Sequence, residues 1–110
     1  MTISRVAYQH GMVQSVKKVN GLQEIVFSED EIPAEVLAAI NENHLLDVGG
    51  TYGDSEAGEP IQYDHLLIEH SSGKVEITFY NRGISLVFGN NETERQIHRV
   101  CSILERRMRH

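Results

Sequence analysis

The stretch from Ile61 to Phe88 (IQYDHLLIEHSSGKVEITFYNRGISLVF) places the tightest limit on what this chain can fold into. Apolar residues return at every second position, which is the period of a strand with one buried face. Leu66 pairs with Ile68 in this sense, Val75 with Ile77 and Phe79, and Ile84 with Leu86 and Phe88. Turn-forming residues divide the stretch into three predicted strands at 61–70, 74–80 and 84–88, joined by Ser71-Ser72-Gly73 and Asn81-Arg82-Gly83. If Ser72-Gly73 is the turn, Leu66 and Ile68 join Ile77 and Phe79 on the core side. The other side then carries Tyr63, His65, Leu67, Thr78, Tyr80 and Val87, more apolar than a solvated sheet face usually is. Tyr63, Leu67, Tyr80 and Val87 are the expected residues of a homodimer face, with the sheet's edge strand as another route to self-association. Cover by the N-terminal segment is the competing expectation.

The remaining segments supply partners for this sheet. Residues 12–19 (MVQSVKKV) and 22–27 (LQEIVF) flank Asn20-Gly21, a pair suited to a two-residue hairpin turn. That register sets Val19 opposite Leu22, Lys17 opposite Glu24 and Val16 opposite Ile25. Ile3 to Tyr8 is a weaker strand candidate. Ser28 to Asn43 (SEDEIPAEVLAAINEN) reads as a helix with Pro33 in its first turn, acids before its start, and Val36, Leu37 and Ile40 on one face. Residues 47–60 (DVGGTYGDSEAGEP) hold four glycines and a proline and predict a long flexible loop. The chain closes on its clearest element, an amphipathic helix with Ile97, Val100, Cys101, Leu104 and Met108 in one stripe. Thr93 with Gln96, or Asn91 with Glu94, can cap its start. The order β-β-α-loop-β-β-β-α predicts a two-layer α+β sandwich: an antiparallel sheet of four to five strands with two helices on one face.

At 110 residues the chain has the length of one domain. Sixteen acidic residues against ten basic ones give a formal charge of −6. The imbalance is local. From Val19 through Gly73 there are twelve Asp and Glu and no Lys or Arg, whereas the last twenty residues hold five Arg. A field of this kind steers association with a basic protein surface and repels nucleic-acid phosphates. Glu31, Glu35, Asp54, Glu56 and Glu59 are the expected contact residues, with Tyr52 as a loop aromatic buried on binding. The plainer account is a solvated acidic surface. No apolar run is long enough to cross a membrane, the first residues lack the apolar core of a signal peptide, and a lone cysteine suits a reducing, cytoplasmic compartment.

Other chemistry finds little support in the residue pattern. Among His and Cys residues, His70, His98 and Cys101 are the least improbable metal ligands, but CxxC, HExxH and HxH are all missing, so no metal or cofactor is predicted. Cys101 lies in the buried stripe, where a nucleophilic thiol would lack access to solvent. Residues 48–53 (VGGTYG) match no phosphate-binding pattern, and Asp47, Asp54 and Glu56 around them oppose an anion. The resulting expectation is a non-enzymatic, acidic protein-binding module. In architecture and charge it is similar in kind to small bacterial or phage inhibitors and immunity proteins, a likeness of type that rests on no motif. A homodimer working through the outer sheet face and a His/Cys metal-dependent sensor or enzyme are the alternatives.

Overall fold

The structure, a computed structural model, describes residues 2–56, 60–88 (88 by its backbone alone) and 91–108. Five strands form one sheet: β1 (Ile3–Val13), β2 (Gln23–Ser28), β3 (Gly50–Gly53), β4 (Ile61–His70) and β5 (Gly73–Tyr80), in the spatial order β2-β1-β4-β5-β3. All neighbours are antiparallel except β3, which runs parallel to β5. Helices α1 (Ala34–Glu42) and α3 (Glu92–Met108) lie on one face, and the short helix α2 (Arg82–Phe88) stands at the sheet's end. This is the two-layer α+β sandwich that the alternation and the terminal stripe predict, with a mixed sheet in place of an antiparallel one.

The core follows from two periodicities meeting. Val6 and Tyr8 of β1, Leu66 and Ile68 of β4, and Val75, Ile77 and Phe79 of β5 point to the helix side and are buried. Val36, Ala39 and Ile40 of α1 and Ile97, Val100, Cys101 and Leu104 of α3 close over them. The β4–β5 turn is Ser71-Ser72, one residue earlier than the expected Ser72-Gly73, and Gly73, at a positive φ of 142°, opens β5 opposite His70. The register shifts by two, an even number, so Leu66, Ile68, Ile77 and Phe79 still share the core side. Of the two possible caps for α3, Asn91 is used: its Oδ1 accepts the Glu94 N–H at 3.2 Å.

Three further expectations are corrected. The first hairpin does not turn at Asn20-Gly21: β1 ends at Val13, and residues 14–22 form its loop, with a bridge between Ser15 and Lys18. Tyr8 thus faces Ile25, and Gln9 faces Glu24, in place of Val16 and Lys17. The longer register wins because the weaker-looking segment Ile3–Val13 also pairs with β4 over its whole length, which buries Val6 and Tyr8. A hairpin built on 12–19 would sacrifice that burial to sequester two lysines.

Second, residues 84–88 are helical. Asn81 adopts the left-handed region at φ 50°, turns the chain out of the sheet, and accepts the first helical bond from the Ser85 N–H at 3.0 Å. The sheet position beside β5 is taken by β3, so the alternation of Ile84 and Leu86 has no ladder to join, and Val87 is 76% exposed on α2. Third, the 47–60 segment is not wholly loop, since β3 lies within it. Tyr52 of β3 packs its ring on Phe79 and donates its hydroxyl to the Val48 carbonyl at 2.9 Å.

Candidate functional site

The alternation of β4 places Asp64 on the same side as Leu66 and Ile68, so a carboxylate enters the core, 1% exposed. Its strand neighbour in β1 is His10, whose Nδ1 lies 2.9 Å from Asp64 Oδ1. Tyr8, one core position along β1, donates its hydroxyl to the same oxygen. From the end of β5, the turn at Asn81 delivers Arg82. Its Nε donates to Asp64 Oδ2 at 3.2 Å, its Nη2 to Oδ1 at 3.4 Å, and its Nη2 also pairs with Glu105. Helix α3 contributes His98, Ser102 and Glu105 at i, i+4 and i+7, a stripe beside the buried one. His98 Nδ1 lies 2.6 Å from Arg82 Nη1.

The electrostatics of this cluster are settled by its neighbours. Burial alone would raise the Asp64 pKa, but the His10 bond, the Arg82 charge and the Tyr8 bond together outweigh it and hold the carboxyl below its ordinary value. Burial likewise would lower the Arg82 pKa, and Asp64 reverses that. The Tyr8 hydroxyl is raised by burial and by Cys101 and Asp64 nearby, and stays protonated. His98 is lowered by burial and then by Arg82. Because a guanidinium can only donate, His98 Nδ1 accepts and the ring proton sits on Nε2, facing Ser102 Oγ at 3.4 Å. That is the wrong tautomer for a serine nucleophile, which needs a free Nε2 to take its proton.

Among the described residues, His10, Asp64 and Glu105 offer ligand atoms within 4.8 Å of one another and could hold a cation. Arg82 already bonds both carboxylates, so the position of a cation between them is taken by the protein's own. The cluster opens on a recess of about 300 Å³ lined by Gln62, Gly83, His98, Ser102, Glu105 and Arg106. The set His70, His98 and Cys101 is not brought together. His70 lies six residues along β4 from Asp64, roughly 20 Å in an extended strand, and its Nδ1 accepts the Ser72 N–H. Cys101 is buried, and burial pushes its thiol up to about 12.

The acidic set is also divided. Glu29–Glu31 follow β2 at the sheet end where Ser28, Arg5, Glu69 and Lys74 align. Asp54 follows β3 at the opposite end, beside Tyr80. β2 and β3 are the two outer strands, four inter-strand steps or roughly 19 Å apart. Glu31 accepts the Ser28 hydroxyl, Glu35 pairs with Arg106 at 3.5 Å and Arg107 at 3.1 Å, and Asp54 accepts the Glu56 N–H. Glu59 lies outside the described residues. The Tyr52 ring is a core wedge.

The sheet face opposite the helices is where predicted residues do converge. Reading across the strands, Val26, Ala7, Leu67 and Glu76 form one row. Glu24, Gln9, His65 and Thr78 form the next, and Gly11, Tyr63 and Tyr80 the last. Tyr63 and Tyr80 pack edge to face at 5.7 Å between ring centres, and burial followed by Tyr80 raises the Tyr63 pKa. Val87 is not part of this face, because it lies on α2.

Asp64, Tyr8, His10, Arg82 and Glu105 escaped the reading of the sequence. One signal was present: an acid at core parity in an alternating strand, where it must find a cation. No family model matches the chain, and no curated protein or solved structure matches it.

Proposed function

We propose that the protein is a non-enzymatic protein-binding module whose docking surface is the helix-free face of the sheet. The observation that carries this reading is the row Val26, Ala7 and Leu67, with the Tyr63–Tyr80 pair across the polar row of Glu24, Gln9, His65 and Thr78, on a face that neither α1 nor α3 covers. Tyrosines give large contact area with a polar tip and little side-chain freedom to lose, which suits a recognition surface. A shallow recess of about 200 Å³ between Arg5, Ala7, Gln9, Glu24, His65 and Leu67 offers a seat for a partner side chain. The polar cluster at the sheet end supports the fold in this reading, since each of its charges is answered internally.

The formal charge of −6 favours a basic partner, and an inhibitor or immunity-type role would follow if that surface is an active site. The test is capture of partners from the source cells by wild-type protein and by Leu67→Lys, Tyr80→Ala and Val87→Lys variants, at low and high salt. A partner retained by wild type and Val87→Lys, lost by the other two and weakened by salt, supports the reading. Capture indifferent to Leu67 and Tyr80 overturns it.

A further inference from the structure

The two outer strands of the sheet differ in their protection. β3 has four residues, and the N–H of its Gly53 is taken by Glu94 Oε2 at 3.0 Å. β2 has six residues, Gln23–Ser28, and pairs with β1 without a register shift. It holds no proline or lysine and a single charge, Glu24. Those are the devices by which outer strands avoid pairing with another chain, and β2 lacks them. Val26 is 42% exposed on it. On the helix side, Ile25 and Phe27 floor a recess of about 580 Å³ with Glu35, Ile103, Arg106 and Arg107 as its other walls.

We propose that β2 pairs antiparallel with β2 of a second copy, about a two-fold axis through Val26, to make a continuous ten-stranded sheet. Residues directly opposite in an antiparallel pair lie on the same face, so only registers that pair positions of equal parity are allowed. Centring on Val26 sets Val26 against its counterpart, Ile25 against Phe27 and Glu24 against Ser28. Apolar meets apolar on both faces, and the one carboxylate meets a hydroxyl. Centring on Ile25 instead sets Glu24 against Val26 and Gln23 against Phe27, which wastes both apolar groups. In the favoured register Phe27 of each copy enters the recess floored by Ile25 of the other, so the contact is reciprocal and closed. The helices of both copies stay on one side, and the open faces join into one surface. This inference goes beyond the docking role and does not depend on it.

Sedimentation velocity over a dilution series tests the proposal. Wild type is expected to approach twice the 12.4 kDa chain mass at high concentration. Val26→Lys, which sets two like charges on the axis, is expected to stay monomeric with unchanged circular dichroism, and Leu67→Lys is expected to dimerise as wild type does. Oxidation of a Val26→Cys variant is expected to give a cross-linked dimer, because the native Cys101 is buried and silent. A wild type monomeric at every concentration, a dimer that survives Val26→Lys or yields to Leu67→Lys, or a dimer in which Val26→Cys does not cross-link would each overturn it.

Discussion

Arg82 is the residue on which the buried cluster turns, and replacing it by Met tests that reasoning quantitatively. Its side chain is 4% exposed and bonds Asp64, at 1%, and Glu105, at 17%. Arg82→Met keeps much of the stem's volume and removes the charge, which strands a buried carboxylate. Breaking one side of a buried ion pair costs about 3–5 kcal/mol. Against a total of roughly 5–15 kcal/mol for a domain, that is a large fraction. At about 4 °C per kcal/mol for this size, the midpoint of thermal unfolding falls by about 12–20 °C.

The pH dependence gives a sharper sign. In the wild type the Asp64 pKa is held below its unfolded value, so its contribution is complete above roughly pH 4 and is lost as pH falls into the folded value. His98, lowered by burial and Arg82, adds a slope of the same sign, with stability falling as pH drops below 6.5 towards its folded pKa. Without Arg82, burial is opposed by the His10 and Tyr8 bonds alone, so the Asp64 pKa rises relative to wild type. The stability that Asp64 supplies above roughly pH 4 shrinks, and the loss on acidification is shallower than in wild type. Urea unfolding at a series of pH values between about 3.5 and 6 measures this. A loss under about 1 kcal/mol, or an acid limb no different from wild type, would refute the cluster as a stability element.

Two further outcomes follow from the core. Gly53→Ala is expected to cost about 2–3 kcal/mol, because Gly53 sits at φ 79° and an added Cβ would lie 1.9 Å from the Tyr80 carbonyl oxygen. Denaturant unfolding reads it, and Gly21→Ala, which meets nothing within 4 Å at a φ of 70°, separates steric clash from the cost of positive φ alone. Cys101 is expected to resist a thiol reagent in the native protein at neutral pH and to react fully in denaturant, since its thiol is buried and raised to about 12.

What the sequence made legible is what depends on neighbours along the chain. The α3 stripe and the shared face of Leu66, Ile68, Ile77 and Phe79 are matters of period, and both are present, while the β4–β5 turn lies one residue before the expected Ser72-Gly73. The misreadings came where a tertiary partner overruled a local pattern. Ile84 and Leu86 alternate like a strand, but β3 holds the position beside β5 and Asn81 turns the chain away. Asn20-Gly21 is a good turn, yet the pairing of Ile3–Val13 with β4 decides where β1 ends. The acidic stretch is continuous in sequence and divided in space, because Glu29–Glu31 leave one outer strand of the sheet, Asp54 leaves the other, and Asp64 and Glu69 lie on β4 between them.

The buried cluster shows why such a site is hard to read and what it does for the fold. Tyr8 and Asp64 are 56 positions apart, and Arg82 and Ser102 are 20 apart, so no spacing rule joins them. Its members come from β1, β4, the β5–α2 junction and α3. A slip of β1 against β4 by two residues would keep the apolar face of each strand on the core side but move His10 from its place opposite Asp64 and break the Tyr8 and His10 bonds to it. An apolar core tolerates such slips at modest cost, since one aliphatic contact replaces another. A carboxylate at 1% exposure does not, because each lost donor restores part of its desolvation penalty. Asp64 therefore selects one register among several that the hydrophobic pattern alone would permit, and through Arg82 and Glu105 it sets the position of α3 on the same sheet.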